Sequence, residues 1–186
     1  MHHLVVIITQ NDSDFQSYGA DFTNGGVVVK FMAKDPLLSS YNGGDENPLV
    51  LFGHANTKQF IWDVKALRSS PTRYIDGLEV VSKLRAANLN TGTFMFCLLA
   101  GCETAGAQGG DSLFVTIAQL LGMPTIGSTT KVTFSQRGSF CSLTPDPGGE
   151  WLVSWPNKEG TTKLTDVKCA DINLKLAKYF IRPLPA

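Results

Sequence analysis

The stretch FMFCLLAGCETAG, Phe94–Gly106, decides the fold. Its first seven residues are apolar, and the rest are small or polar. A short apolar run that ends in turn residues is the pattern of a strand buried on both faces, as in parallel sheets covered by helices. The reading predicts a strand over Thr93–Leu99 followed by a glycine-rich loop. Of the two cysteines, Cys97 lies inside the run as a small hydrophobe, and Cys102 stands where the strand stops.

Working outward, the same alternation recurs. After the loop, DSLFVTIAQLLG reads as a helix that Asp111 or Ser112 caps and Gly122 ends. PTIGST follows as a strand. Upstream, IDGLEVVSKLRAAN, residues 75–88, carries Ile75, Leu78, Val81 and Leu84 at helical spacing. Before it, FIWDV reads as a small strand or arm, and LVLF, Leu49–Phe52, as a buried strand that ends in Gly53 and His54. LVVII, residues 4–8, is a strand closed by the turn cluster TQNDSD. GVVVKFMA, Gly26–Ala33, is a further apolar run, and KDPLLSSYNGGDEN is loop material. Residues 131–165 read as loops with short strands, and residues 170–181 as a terminal helix. Apolar strands alternating with helices imply an α/β fold, a mostly parallel central sheet flanked by helices, in one domain over residues 1–186.

Composition narrows the function. The chain has 186 residues, 43% of them hydrophobic, which is enough for a real core. Sixteen basic residues balance sixteen acidic ones, so a polyanion meets no net attraction and nucleic-acid binding is not expected. No apolar run is long enough to span a membrane. MHHLVVIITQND lacks the pattern of a secretory leader, and the four cysteines (Cys97, Cys102, Cys141, Cys169) show no CxxC or metal-ligand spacing. Reduced thiols, no metal, no cofactor and a cytoplasmic location are the expectation; a delivered effector has the same profile.

In open parallel sheets, function gathers at the carboxyl ends of the strands. His54 and Cys102 are the candidates there, with helix 75–88 as the crossover between their strands. A free thiol has a pKa near 8.5, so only a few per cent is thiolate at neutral pH. An imidazole beside it takes the proton and later returns it to a leaving group. The N–H groups of Cys102 and Ala55, at the two strand ends, are candidate oxyanion donors. Gly53 and Gly101, each beside a candidate, read as room for a substrate.

In this order, LVLFGHAN and LLAGCETAGAQGGDSLFVTIAQLLGMPTIGS resemble the caspase-like cysteine peptidases, and among them most resemble the CHAT-type domains. The resemblance covers residues 48–130. It implies a caspase-like sandwich, with Cys102 as nucleophile, His54 as general acid/base and a thioester intermediate in peptide-bond hydrolysis. Partners would be a protein or peptide substrate, with a homodimer or a larger assembly as further expectations. Ala55 stands where the family usually has glycine. For the pocket that sets specificity, Arg137 and Arg73 are weak substrate-binding candidates, while Ala100 is neutral. Trp62, Trp151 and Trp155 read as core or lid residues. Two alternatives stay open: a catalytically silent caspase-like binding or scaffold module, and an amidotransferase-type or α/β-hydrolase-type enzyme. The second fits poorly: such enzymes usually carry the nucleophile in a Gly-x-Cys-x-Gly elbow, whereas here Gly101 directly precedes Cys102 and Thr104 takes the second glycine's place.

Overall fold

The structure, a computed structural model, describes residues 4–24, 27–32, 36–44, 47–62, 73–137 and 140–179. The side chains of residues 24, 136, 137, 140, 141 and 177–179 lie outside the description. Seven strands form one sheet: β1 (Val5–Ile8), β2 (Val28–Phe31), β3 (Leu49–Phe52), β6 (Cys97–Ala100), β7 (Thr125–Ser128), β10 (Trp151–Ser154) and β11 (Thr161–Lys163). Their order is β11-β10-β7-β6-β3-β1-β2. The five strands from β2 to β7 are parallel, and β10 and β11 close the sheet in antiparallel pairing. Two antiparallel pairs stand apart: β4 (Gln59–Trp62) with β5 (Arg73–Asp76), and β8 (Val132–Arg137) with β9 (Phe140–Pro145).

Both faces of the sheet are covered, which explains the unbroken apolar strands. Val5, Ile7, Leu49, Leu51, Cys97 and Leu99 face α2 (Gly77–Ala86) and α3 (Leu113–Leu121), with Phe60 and Trp62 of β4 in the same cluster. The alternate residues, Val6, Ile8, Val50, Phe52, Leu98 and Ala100, face α1 (Ser13–Asn24) and α4 (Ala170–Tyr179), together with Leu143 of β9. The molecule is therefore α/β, with helices on both sides of a mostly parallel sheet.

Several expectations change. The strand expected over Thr93–Leu99 is Cys97–Ala100, because a 3-10 turn at Thr91–Thr93 occupies its start. The helix expected from Ile75 begins at Gly77: Ile75 belongs to β5, and the Asp76 carboxylate accepts from the Glu79 N–H as N-cap. Leu78 is 59% exposed, and the buried stripe is Gly77, Val80, Val81 and Leu84. Gly77 is needed at the helix crossing, since a Cβ there would lie 2.9 Å from Thr116 on α3. Residues 131–165, expected as loops with short strands, hold the six-residue strands β8 and β9 and both antiparallel strands of the main sheet. The apolar run at residues 26–33 is described as β2, with Gly26 and Ala33 outside the described residues. So are Asp63 and Val64 of FIWDV, and residues 180 and 181 of the terminal helix. β5 and α1 have no counterpart in the sequence reading. α1 follows the first turn cluster, with Phe15, Tyr18 and Phe22 on its inner side. No described helix is long and apolar enough to cross a membrane.

Candidate functional site

β3 and β6 are parallel neighbours, and Phe52 pairs with Ala100 at their ends. The Gly53 N–H continues the ladder to the Ala100 carbonyl at 3.5 Å. His54 and Cys102 each stand two residues beyond that last pair, so the sheet brings them to equivalent positions at one edge. A Cβ on Gly101 would lie 2.7 Å from the Ala55 Cβ and 2.8 Å from the Gly53 carbonyl oxygen. The two strand ends are thus in contact through a missing side chain. This corrects the reading of both glycines as room for a substrate. Gly101 is buried against Ala55, and Gly53 is buried with its α-carbon facing the Thr9 hydroxyl.

His54 is exposed and held mainly by its backbone. Its N–H donates to the Gln10 side-chain carbonyl, and its own carbonyl accepts from the Ile61 N–H at 2.8 Å. Its ring meets that of Phe15 edge-on, 5.1 Å between centroids and 85° between planes. Among the described residues no hydrogen bond joins the imidazole to the Cys102 thiol. Ala55 forms an isolated antiparallel bridge with Phe60 and has no left-handed φ, so alanine fits without strain where the resemblance has glycine.

Cys102 is half-buried, whereas Cys97 and Cys169 are buried. Burial pushes the Cys97 thiol far up from its ordinary value. Burial, and secondarily the Asp166 charge, pushes Cys169 up as well. Among these three, Cys102 is the thiol a substrate can reach. The side chain of Cys141 lies outside the described residues.

The loop after Cys102 is pinned to the end of β7. The N–H groups of Glu103 and Ala105 donate to the carbonyls of Thr130 and Ser128, at 2.8 and 2.9 Å. Between them the buried Thr104 hydroxyl donates to the Leu99 carbonyl and accepts from the Ser128 N–H. Glu103 turns the chain at φ 56°, in the left-handed region. The His54 and Cys102 loops are also tied beyond the strands, since the Leu113 N–H donates to the Thr57 carbonyl at 2.9 Å and Lys58 pairs with Asp111. Asp111 and Ser112 thereby separate: Ser112 is the cap of α3, and Asp111 is the ion-pair partner. Among the described residues, neither the Ala55 nor the Cys102 N–H donates to an acceptor.

The remaining candidates lie elsewhere. Arg137 ends β8 opposite Phe140, with its side chain outside the described residues. Arg73 opens β5 and pairs with Glu79. Trp62 and Trp151 are buried core. Trp155 donates to the Thr162 hydroxyl at 3.0 Å. A cavity of about 310 Å³ is lined by Met32, Leu37, Trp62 and Lys83, and another of about 560 Å³ by Asn42, Thr93, Phe94 and Lys175. Neither is lined by His54 or Cys102. No group of three or more metal-ligating side chains converges among the described residues. Sequence reasoning missed Gln10, Asp12 and Phe15. The available signal was the cap residue Asp12 ahead of Phe15, Tyr18 and Phe22 at helical spacing.

The fold and this edge define the chain as an α/β protein with an accessible thiol and an imidazole at adjacent strand ends. Compared with family models, curated proteins and solved structures, it matches none.

Proposed function

We propose that this chain is a cysteine peptidase of caspase-like architecture, with Cys102 as nucleophile and His54 as general acid and base. The observation that carries the reading is the β3–β6 register, in which Phe52 and Ala100 pair two residues before His54 and Cys102. His54 takes the Cys102 proton, and the thiolate attacks a peptide carbonyl. The N–H groups of Ala55 and Cys102 stabilise the oxyanion. The C–N bond then breaks, the amine leaves with the proton from His54, and a thioester remains. Water, deprotonated by His54, attacks the thioester, so the acid product leaves and the thiol is restored. With its ring resting on Phe15, His54 exchanges the proton with the thiol through a shared water.

A second reading is supported by that same ring: an imidazole packed on Phe15 with no hydrogen bond to the thiol suits a silent caspase-like scaffold. Iodoacetamide labelling with adduct mapping separates the two. For the peptidase, Cys102 is alkylated about tenfold faster than in His54→Ala, and a peptide library is cut by the wild type and not by Cys102→Ala. Equal Cys102 labelling in both proteins, with no library cleavage, establishes the scaffold.

A further inference from the structure

Among the described residues no carboxylate hydrogen-bonds to the His54 ring, and the Asp12 carboxylate is linked to His54 through two intermediaries. The Asp12 carboxylate divides its two oxygens. Oδ1 accepts from the N–H groups of Asp14 and Phe15, both at 3.1 Å, and so opens α1. Oδ2 accepts from the Gln10 side-chain amide at 3.3 Å. The carbonyl of that same amide accepts from the His54 N–H. Gln10 is 7% exposed and bridges the ends of β1 and β3, where the connections leave the sheet in opposite directions toward β2 and β6. Phe15, whose N–H Asp12 holds, is the residue that packs on the imidazole. One carboxylate therefore anchors both grips on His54, Gln10 on its backbone and Phe15 on its ring.

We propose that Asp12, Gln10 and Phe15 form a mount that positions the His54 imidazole, in place of a carboxylate hydrogen-bonded to the ring. Asp12 and Gln10 are positioning residues that act through His54. The proposal rests on the peptidase reading for its catalytic consequence, while the mount itself is a matter of geometry. Its polarity makes it testable by exchange. Asp12→Asn keeps the acceptor that caps α1 but turns an N–H₂ toward the N–H₂ of Gln10. Gln10→Glu keeps the acceptor for the His54 N–H but sets a carboxylate against Asp12. In the double variant, the new amide at position 12 caps α1 with its oxygen and donates to the new carboxylate at position 10, and the chain of hydrogen bonds closes again.

The experiment follows the His54 ring signals by NMR, assigned by their loss in His54→Ala, together with the rate of Cys102 alkylation by iodoacetamide. Thermal melts check that each variant is folded. Phe15→Leu calibrates the ring-current shift that the phenyl ring imposes. Each single variant is expected to move the His54 signals toward their positions in Phe15→Leu and to slow alkylation about tenfold. The double variant is expected to restore both. Singles that leave the signals unmoved, or a double no better than either single, overturn the mount. Should His54→Ala leave alkylation unchanged, the peptidase reading fails, and the NMR exchange alone decides the mount by the same two criteria.

Discussion

At the residue scale, the position after Cys102 is informative. Glu103 adopts φ 56°, a region where an L side chain costs about 1 kcal/mol or more. The strain persists because the N–H groups on either side of Thr104 are committed to Ser128 at the end of β7 and to Thr130 just beyond it. Glu103→Gly should therefore raise stability by about 1 kcal/mol, and Glu103→Val should lower it by a similar amount. Urea denaturation checks both, and a destabilised glycine variant would mean that the turn is not strained. Asp111 offers a pH test. A hydrogen bond from Lys58, and then its charge, hold the Asp111 carboxyl below its ordinary value. For a depressed carboxyl, the stabilisation is present above the unfolded value, near 3.9, and is lost as pH falls through the folded one. Both side chains are exposed, so the effect is small. The Tm difference between wild type and Asp111→Asn should be constant from neutral pH to about pH 5 and shrink below it; a difference that grows on acidification contradicts the ion pair.

At the element scale, the helices most visible in sequence are those whose caps and stripes agree. α3 has its Ser112 cap, an apolar body and Gly122 at φ 67° as its stop, all legible locally except for the choice between Asp111 and Ser112. The structure decides that choice by reach, because the Ser112 hydroxyl faces the Val115 N–H while Asp111 faces Lys58. Ser112→Ala should cost about 1 kcal/mol, and Asp111→Ala much less. Thermal melts of the two variants test the assignment, and equal losses would refute it. α2 starts later than its spacing suggests because Ile75 and Leu78 continue a helical pattern that the fold does not use. Ile75 is consumed by β5, and the strand–helix boundary falls at Asp76, whose side chain can cap. α1 is hidden in the sequence because its start, NDSD, is also turn chemistry; the same short polar side chains serve both ends of that ambiguity.

At the scale of the whole molecule, the candidate site depends on how closely two strand ends approach. Gly101 sits against Ala55 and the Gly53 carbonyl with no room for a Cβ. Gly101→Val should therefore destabilise by about 1–3 kcal/mol and also reduce Cys102 reactivity, because the two loops must part. A folded variant with unaltered alkylation would show that the approach is dispensable. The antiparallel strands β10 and β11 show the limit of local reading. Trp151–Ser154 is short, and only its pairing with β7 and β11 makes it part of the central sheet.

The apolar runs at residues 5–8, 49–52 and 97–100 determined the parallel core by themselves, since burial on both faces leaves no polar alternation to read. They also located His54 and Cys102 at strand ends. Tertiary structure alone decided that these ends are neighbours in register, that Gly101 closes the gap between them, and that Asp12, Gln10 and Phe15 gather at His54. The physical reason is range: periodicity and capping act over a few residues, whereas Gln10 and His54 are 44 positions apart and meet only because β1 lies beside β3.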